Sequence, residues 1–203
     1  MKKHSKLLTI ITLSTIAVLA LRSVQFNRTA SVPVGLYRLS DSHVDRGSLV
    51  GACVPASFSG LALKRGYLSN VQREIQSSTL TSLLQKLFSN SWIEQRICSD
   101  DTRAVLKPVF GLPGDIVSVT PSGVSINGKA ITDSRLLQKD GQGRRLPNYL
   151  GVYQLEEGEY WLLSTHSPLS LDSRYFGPVT EILSVAKPLL TTDLFKPEVS
   201  HAR

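Results

Sequence analysis

The sequence predicts a mainly β domain carried behind an N-terminal membrane helix and interrupted by a helical insertion. Three observations predict it. Short apolar runs bounded by glycine, proline and aspartate recur along most of the 203-residue chain. A 15-residue stretch without charge, 7–21 (LLTIITLSTIAVLAL), stands behind Lys2, Lys3 and Lys6. Between 68 and 95 the apolar residues change to near-helical spacing.

The three lysines mark residues 1–6 as a basic tail of the kind retained on the cytoplasmic side of a bilayer. Coiled as a helix, 7–21 is about 22 Å long, short of a hydrocarbon core of about 30 Å. Two readings follow. Val18-Leu19-Ala20 is a small-residue cleavage site of a signal peptide. Alternatively the helix runs on to Phe26 as a signal anchor, 7–26, with Arg22 snorkelling to the interface. Either way the rest of the chain is exported.

Beyond the apolar segment, strands are expected at 36–39, 49–54, 104–110, 116–120, 123–126, 152–155, 160–164 and 179–188. Asn127-Gly128 supplies a hairpin turn between Val124-Ser125-Ile126 and Ala130-Ile131. These elements define one exported domain, 27–190. Its insertion, 68–95, sets Val71, Ile75, Leu80, Leu83, Leu84, Leu87 and Phe88 near helical spacing. That face either packs on the core or offers Phe88, Trp92 and Ile93 to a membrane or partner. Residues 132–146 read as an exposed loop, and the chain after Lys187, with the tail 191–203, as loosely held.

A net charge of +7 calls for anionic surroundings, yet the basic residues are scattered and no nucleic-acid motif accompanies them. Nucleic acid is therefore excluded as a partner, and anionic lipid headgroups fit better. Cys53 and Cys98 are the only cysteines. In an oxidising compartment they bridge, closing about 45 residues; otherwise they are two buried thiols. Without further spaced cysteine or histidine ligands they make no metal site, and no cofactor is expected.

The chemistry starts at Ser31, set in Ser31-Val32-Pro33-Val34-Gly35-Leu36-Tyr37 about ten residues beyond the apolar run. A serine hydroxyl needs a base within hydrogen-bond reach to act as a nucleophile. Neither His43 nor His166 stands in a recognisable triad context. Lys107 is the better candidate, because it lies inside an apolar strand that ends in Leu112-Pro113-Gly114-Asp115. Desolvation lowers a lysine pKa, and a neutral amine could take the serine proton. A third segment, 164–177, gathers hydroxyls, Asp172 and Arg174: the last two could pair, and Ser170 could orient the lysine amine.

Ser-x-Pro-x-Gly-x-Tyr, Leu-Lys-Pro-Val-x-Gly-Leu-Pro-Gly-Asp and Ser-x-Asp-Ser-Arg-Tyr-Phe-Gly, in that order behind an apolar segment, resemble the type I signal peptidase superfamily. General signal peptidases carry methionine where Val32 stands here, so the pattern is most similar to the TraF-type peptidases of conjugative transfer. The resemblance implies a signal-peptidase-like β-rich catalytic domain in the periplasm, held at the bacterial inner membrane or free there if the N-terminal segment is cleaved. It implies Ser31 as nucleophile, Lys107 as general base, Asp172 as a further catalytic residue and Ser170 and Arg174 in support. Thr29 would help the Ser31 backbone N–H form an oxyanion hole. The implied substrate is an exported pilin precursor cut after a small residue, with cyclisation in the best-known members; conjugation or type IV secretion components are the implied partners. A general signal peptidase and a non-catalytic assembly protein stand as alternatives. A Ser31 oxygen to Lys107 nitrogen distance well beyond about 3.5 Å would favour the last.

Overall fold

The structure is a computed structural model and describes residues 23–69 and 97–195. It is β-rich, with two antiparallel sheets and little helix. The chain starts as a hairpin, β1 (Val24–Asn27) against β2 (Gly35–Ser40), and continues through β3 (Leu49–Ala52) and the helix α1 (Ala56–Lys64) to β4 (Val105–Gly111). A second sheet follows: β5 (Ile116–Thr120), β6 (Gly123–Ile126), β7 (Lys129–Ala130) and β8 (Gly151–Gln154). The chain then returns through β9 (Trp161–Leu162) and the one-turn helix α2 (Ser173–Phe176) to β10 (Ile182–Thr191). The sheet orders are β1-β2-β10-β3-β4-β9 and β7-β6-β5-β8.

Alternation decides which face each strand buries. In β2, Tyr37 and Leu39 point inward while Leu36 and Arg38 face solvent, the period of two of a half-buried strand. Val117 and Val119 of β5 and Val124 and Ile126 of β6 build a second core around Trp161 and Leu163. The hairpin between β6 and β7 turns at Asn127 and Gly128, both with positive φ, as the Asn-Gly pair requires. At the end of β4, Asp115 accepts from the Leu112 N–H at 2.7 Å, from Arg46 at 2.7 Å and from Asn127 Nδ2 at 2.7 Å. That buried carboxylate joins the two sheets.

The structure moves several expected boundaries. Val24–Asn27 is a strand paired with β2, so a helix formed by the apolar segment would end short of Phe26. Residues 7–22 lie outside the described residues, among which no helix is long and apolar enough to cross a membrane. The chain after Lys187 is not loose at first: β10 continues to Thr191, because Pro188, Leu190 and Thr191 stand opposite Tyr37, Leu36 and Gly35 of β2. α1 was not expected; Phe58 and Ala62, one turn apart, bury its inner face in the core. The loop 132–146 is not wholly exposed, since Leu136 packs beside β5 and β6, and the Ser134 hydroxyl accepts from the Val124 N–H at 2.9 Å. Of the insertion 68–95, residues 70–95 lie outside the described residues, as does the tail from 196. Cys53 and Cys98 are bridged, with Cα atoms 5.6 Å apart.

Candidate active site

Three elements converge on one buried cluster. The first is the turn between β1 and β2 that carries Ser31. Asn27, the buried last residue of β1, organises it from inside: its Nδ2 lies 2.9 Å from the Thr29 carbonyl, 3.3 Å from that of Val32 and 3.2 Å from that of Pro33. Its Oδ1 accepts from the Thr29 N–H at 3.1 Å and from the Thr29 hydroxyl at 2.8 Å. The Tyr37 hydroxyl donates to the Pro33 carbonyl at 2.6 Å. Gly35 ends the turn with φ of 156° against β10, where a Cβ would sit 2.1 Å from the Leu190 carbonyl oxygen. Only glycine permits that approach.

The second element is β4. Lys107 stands opposite Val50 of β3, between Val105 and Val109, and is only 4% exposed. Its Nζ donates to Ser31 Oγ at 2.6 Å and to Ser170 Oγ at 2.7 Å. Burial pulls its pKa down to about 8; the Asp172 carboxylate works against that fall and the Arg174 guanidinium adds to it. A large fraction of Lys107 is thus neutral near pH 8, within hydrogen-bond reach of a serine hydroxyl.

The third element runs from the end of β9 to α2. Ser170 Oγ lies 3.4 Å from Ser31 Oγ as well as bonding the lysine. Asp172 caps α2 and pairs with Arg174, both fully buried, through Nε–Oδ1 and Nη2–Oδ2 contacts of 2.8 Å each. Burial opposes the Arg174 charge, yet the bonds to Asp172 hold its pKa above the ordinary arginine value. Arg174 also donates to the carbonyls of Arg135 at 2.8 Å and Ser170 at 3.3 Å. Two neighbouring charges in low dielectric are tolerable only with such saturation.

Ser31, Lys107 and Ser170, expected together from sequence, are in hydrogen-bond contact. Asp172 and Arg174 form the anticipated pair, but no hydrogen bond joins either to Ser31 or Lys107; their effect on the lysine is through charge. The Thr29 hydroxyl, expected to serve the oxyanion hole, donates to Asn27 Oδ1 at 2.8 Å. His43 is exposed beside Asp45, and Ser31 Oγ has no histidine partner among the described residues. Two residues that sequence reasoning passed over matter here. Asn27 organises the serine turn, and the Ser164 hydroxyl donates to the Ser31 carbonyl. The signal for Asn27 was a short amide side chain just ahead of a turn, where it can bond the backbone beyond it. A cavity of about 580 Å³ beside the second sheet, lined by Leu136, Leu146 and Leu150 with Arg135 and Arg145, contains none of this cluster.

A serine and a buried lysine in contact can carry out acyl transfer: the amine takes the hydroxyl proton as oxygen attacks a carbonyl, then returns it to the leaving amine. Relatives share this sequence over most of its length. Residues 4–188 match the signal peptidase family, peptidase S26. The plasmid transfer protein TraF of Escherichia coli is 34% identical over 176 residues, covering 84% of this chain and 85% of that protein. A conjugal transfer protein TraF of Agrobacterium tumefaciens (strain 15955) is 27% identical over 200 residues, 93% of this chain and 98% of its own. Signal peptidase I V of Bacillus subtilis (strain 168) is 28% identical over 89 residues, 40% of this chain and 53% of that protein. The chain belongs to the signal peptidase family, peptidase S26, as a TraF-type member of that superfamily.

Proposed function

We propose that this protein is a membrane-anchored serine endopeptidase that matures an exported pilin precursor for conjugative transfer. Ser31 is the nucleophile and Lys107 the general base. The observation that carries the reading is the 2.6 Å contact between Lys107 Nζ and Ser31 Oγ in a site where burial lowers the lysine pKa to about 8. A purely structural pair would gain nothing from a desolvated amine, and the contact is far inside the separation that would favour a non-catalytic assembly protein.

The substrate assignment is supported by the plasmid and conjugal transfer names of the relatives that span most of the chain, whereas the general signal peptidase aligns with 40% of it. Action at the periplasmic face of the inner membrane is supported by the apolar segment 7–21 ahead of β1 and by the surface beside it. Phe26, Leu36 and Leu190 stand opposite one another on β1, β2 and β10, all exposed, with Arg38 and Lys187 paired in a row behind them. Apolar side chains backed by cations suit an anionic lipid surface. The precursor would add as an extended segment and leave its acyl group on Ser31, for water or for its own N-terminus.

Ser31→Ala should leave the pilin precursor unprocessed in cells, with cleavage reduced at least about 10⁴-fold and the protein folded as before. Mass spectrometry of the pilin decides it. Normal maturation by the variant would overturn the reading, and a product one water lighter than the trimmed chain would identify cyclisation.

A further inference from the structure

Ser164 lies fully buried two residues beyond the end of β9, and each of its polar groups is engaged with a different part of the site. Its hydroxyl donates to the main-chain carbonyl of Ser31. Its N–H donates to Asp172 Oδ2 at 3.1 Å, and its carbonyl accepts from Arg174 Nη2 at 3.5 Å. Its neighbour Leu163 donates to the Pro108 carbonyl at 3.1 Å, next to Lys107 on β4. No other hydrogen bond among the described residues joins the buried ion pair's loop to the backbone of the nucleophile; Ser170 meets only its side chain.

From this geometry we infer that Ser164 is a positioning residue of the reaction, a latch by which the Asp172–Arg174 pair sets the backbone of Ser31. The inference rests on the serine-lysine reading above. Holding the Ser31 carbonyl fixes the peptide plane that follows the nucleophile, and so the rotation about the Ser31 Cα–C bond. Asn27 holds the turn on both sides of that bond, at Thr29 and at Val32, but leaves the Ser31 carbonyl itself unbound. Among the described residues, only Ser164 supplies the missing restraint. The pair bonds neither reacting side chain: it reaches the Ser31 hydroxyl through Ser170, whose carbonyl accepts from Arg174, and the Ser31 backbone through Ser164. A displacement of about 1 Å at a nucleophile costs on the order of 10²-fold in rate.

The test is Ser164→Ala in the full-length protein, assayed on pilin precursor purified from cells that carry Ser31→Ala. Expected is a kcat per folded molecule lower by about 10- to 100-fold, KM within about twofold, and an unchanged pH of half-maximal activity, because the lysine keeps both of its hydroxyl partners. Ser170→Ala, which removes one of those partners, should by contrast shift the pH profile. Wild-type kcat in folded Ser164→Ala would overturn the latch while leaving the dyad standing. A raised KM with unchanged kcat, or a pH profile shifted as in Ser170→Ala, would also overturn it. Activity in Ser31→Ala itself would instead remove the serine reading and the latch with it.

Discussion

Lys107 carries one positive charge into a place that disfavours it, and this has two measurable sides. Its folded pKa of about 8 lies below the 10.5 of the free side chain. In the proposed role as a base it acts only when neutral, so kcat/KM should rise with pH, inflect near 8 and level off above. Stability responds over a different window. Between about 8 and 10.5 the unfolded chain holds a proton that the folded one has lost, so stability increases with pH across that interval. The full effect is about 3 kcal/mol. Lys107→Met should abolish cleavage and remove this alkaline gain, leaving the protein no less stable at pH 7; denaturant titrations of both forms at pH 7 and 10 test it. A loss of stability at pH 7 in the variant would contradict the claim. Residue chemistry of this kind was partly legible in the sequence. A lysine flanked by Val105, Leu106, Pro108 and Val109 offers itself for desolvation, although a strand lysine alone is more often an exposed edge residue, whereas Ser164 and Asn27 are polar residues whose importance depends on which carbonyl they meet. That meeting is a tertiary fact.

At the scale of elements, the serine turn depends on how closely β2 approaches β10. Gly35→Ala would drive a methyl into the Leu190 carbonyl and force a side chain into a φ of 156°. The hairpin must then shift away from β10, at a cost of roughly 1 to 3 kcal/mol or more. We expect a lower thermal midpoint together with loss of the Ser31–Lys107 contact, read as a fall in kcat beyond what the unfolded fraction explains. An unchanged midpoint would show that β10 accommodates the methyl. Strands with clean alternation, such as Ile116–Thr120 and Gly123–Ile126, were read to the residue, because a period of two between turn formers is a local property. β1 and the end of β10 were not, since Val24–Asn27 continues an apolar run and Leu189 and Leu190 follow a proline. What makes them strands is each other's neighbour, β2. α1 escaped for a related reason: Ser57, Ser59 and Gly60 are poor helix formers, and the helix exists because Phe58 and Ala62 find the core.

The whole molecule is tied by a cross-link and a topology. The Cys53–Cys98 bridge spans 45 residues and flanks a contact in which Glu181, just before β10, accepts from Ser99 N–H and Oγ at 3.2 and 3.0 Å. Reduction should lower stability by about 2 to 4 kcal/mol, the entropy of a loop of that length, without altering the dyad itself. Calorimetry with and without reductant measures it, and an unchanged midpoint would mean the loop is already constrained by other contacts. The short strands and the three motifs foretold a β-rich domain, but not that its first strands would be completed by the last of the described ones. β10 is the final strand of the described chain, yet it lies in the interior of its sheet between β2 and β3. During synthesis the hairpin bearing Ser31 therefore has no sheet to join until about residue 191 has emerged, and the wall that holds Lys107 stands apart from it. Strand order thus acts as a timer: the Ser31 hairpin and the wall that holds Lys107 come together only once β10 has been made.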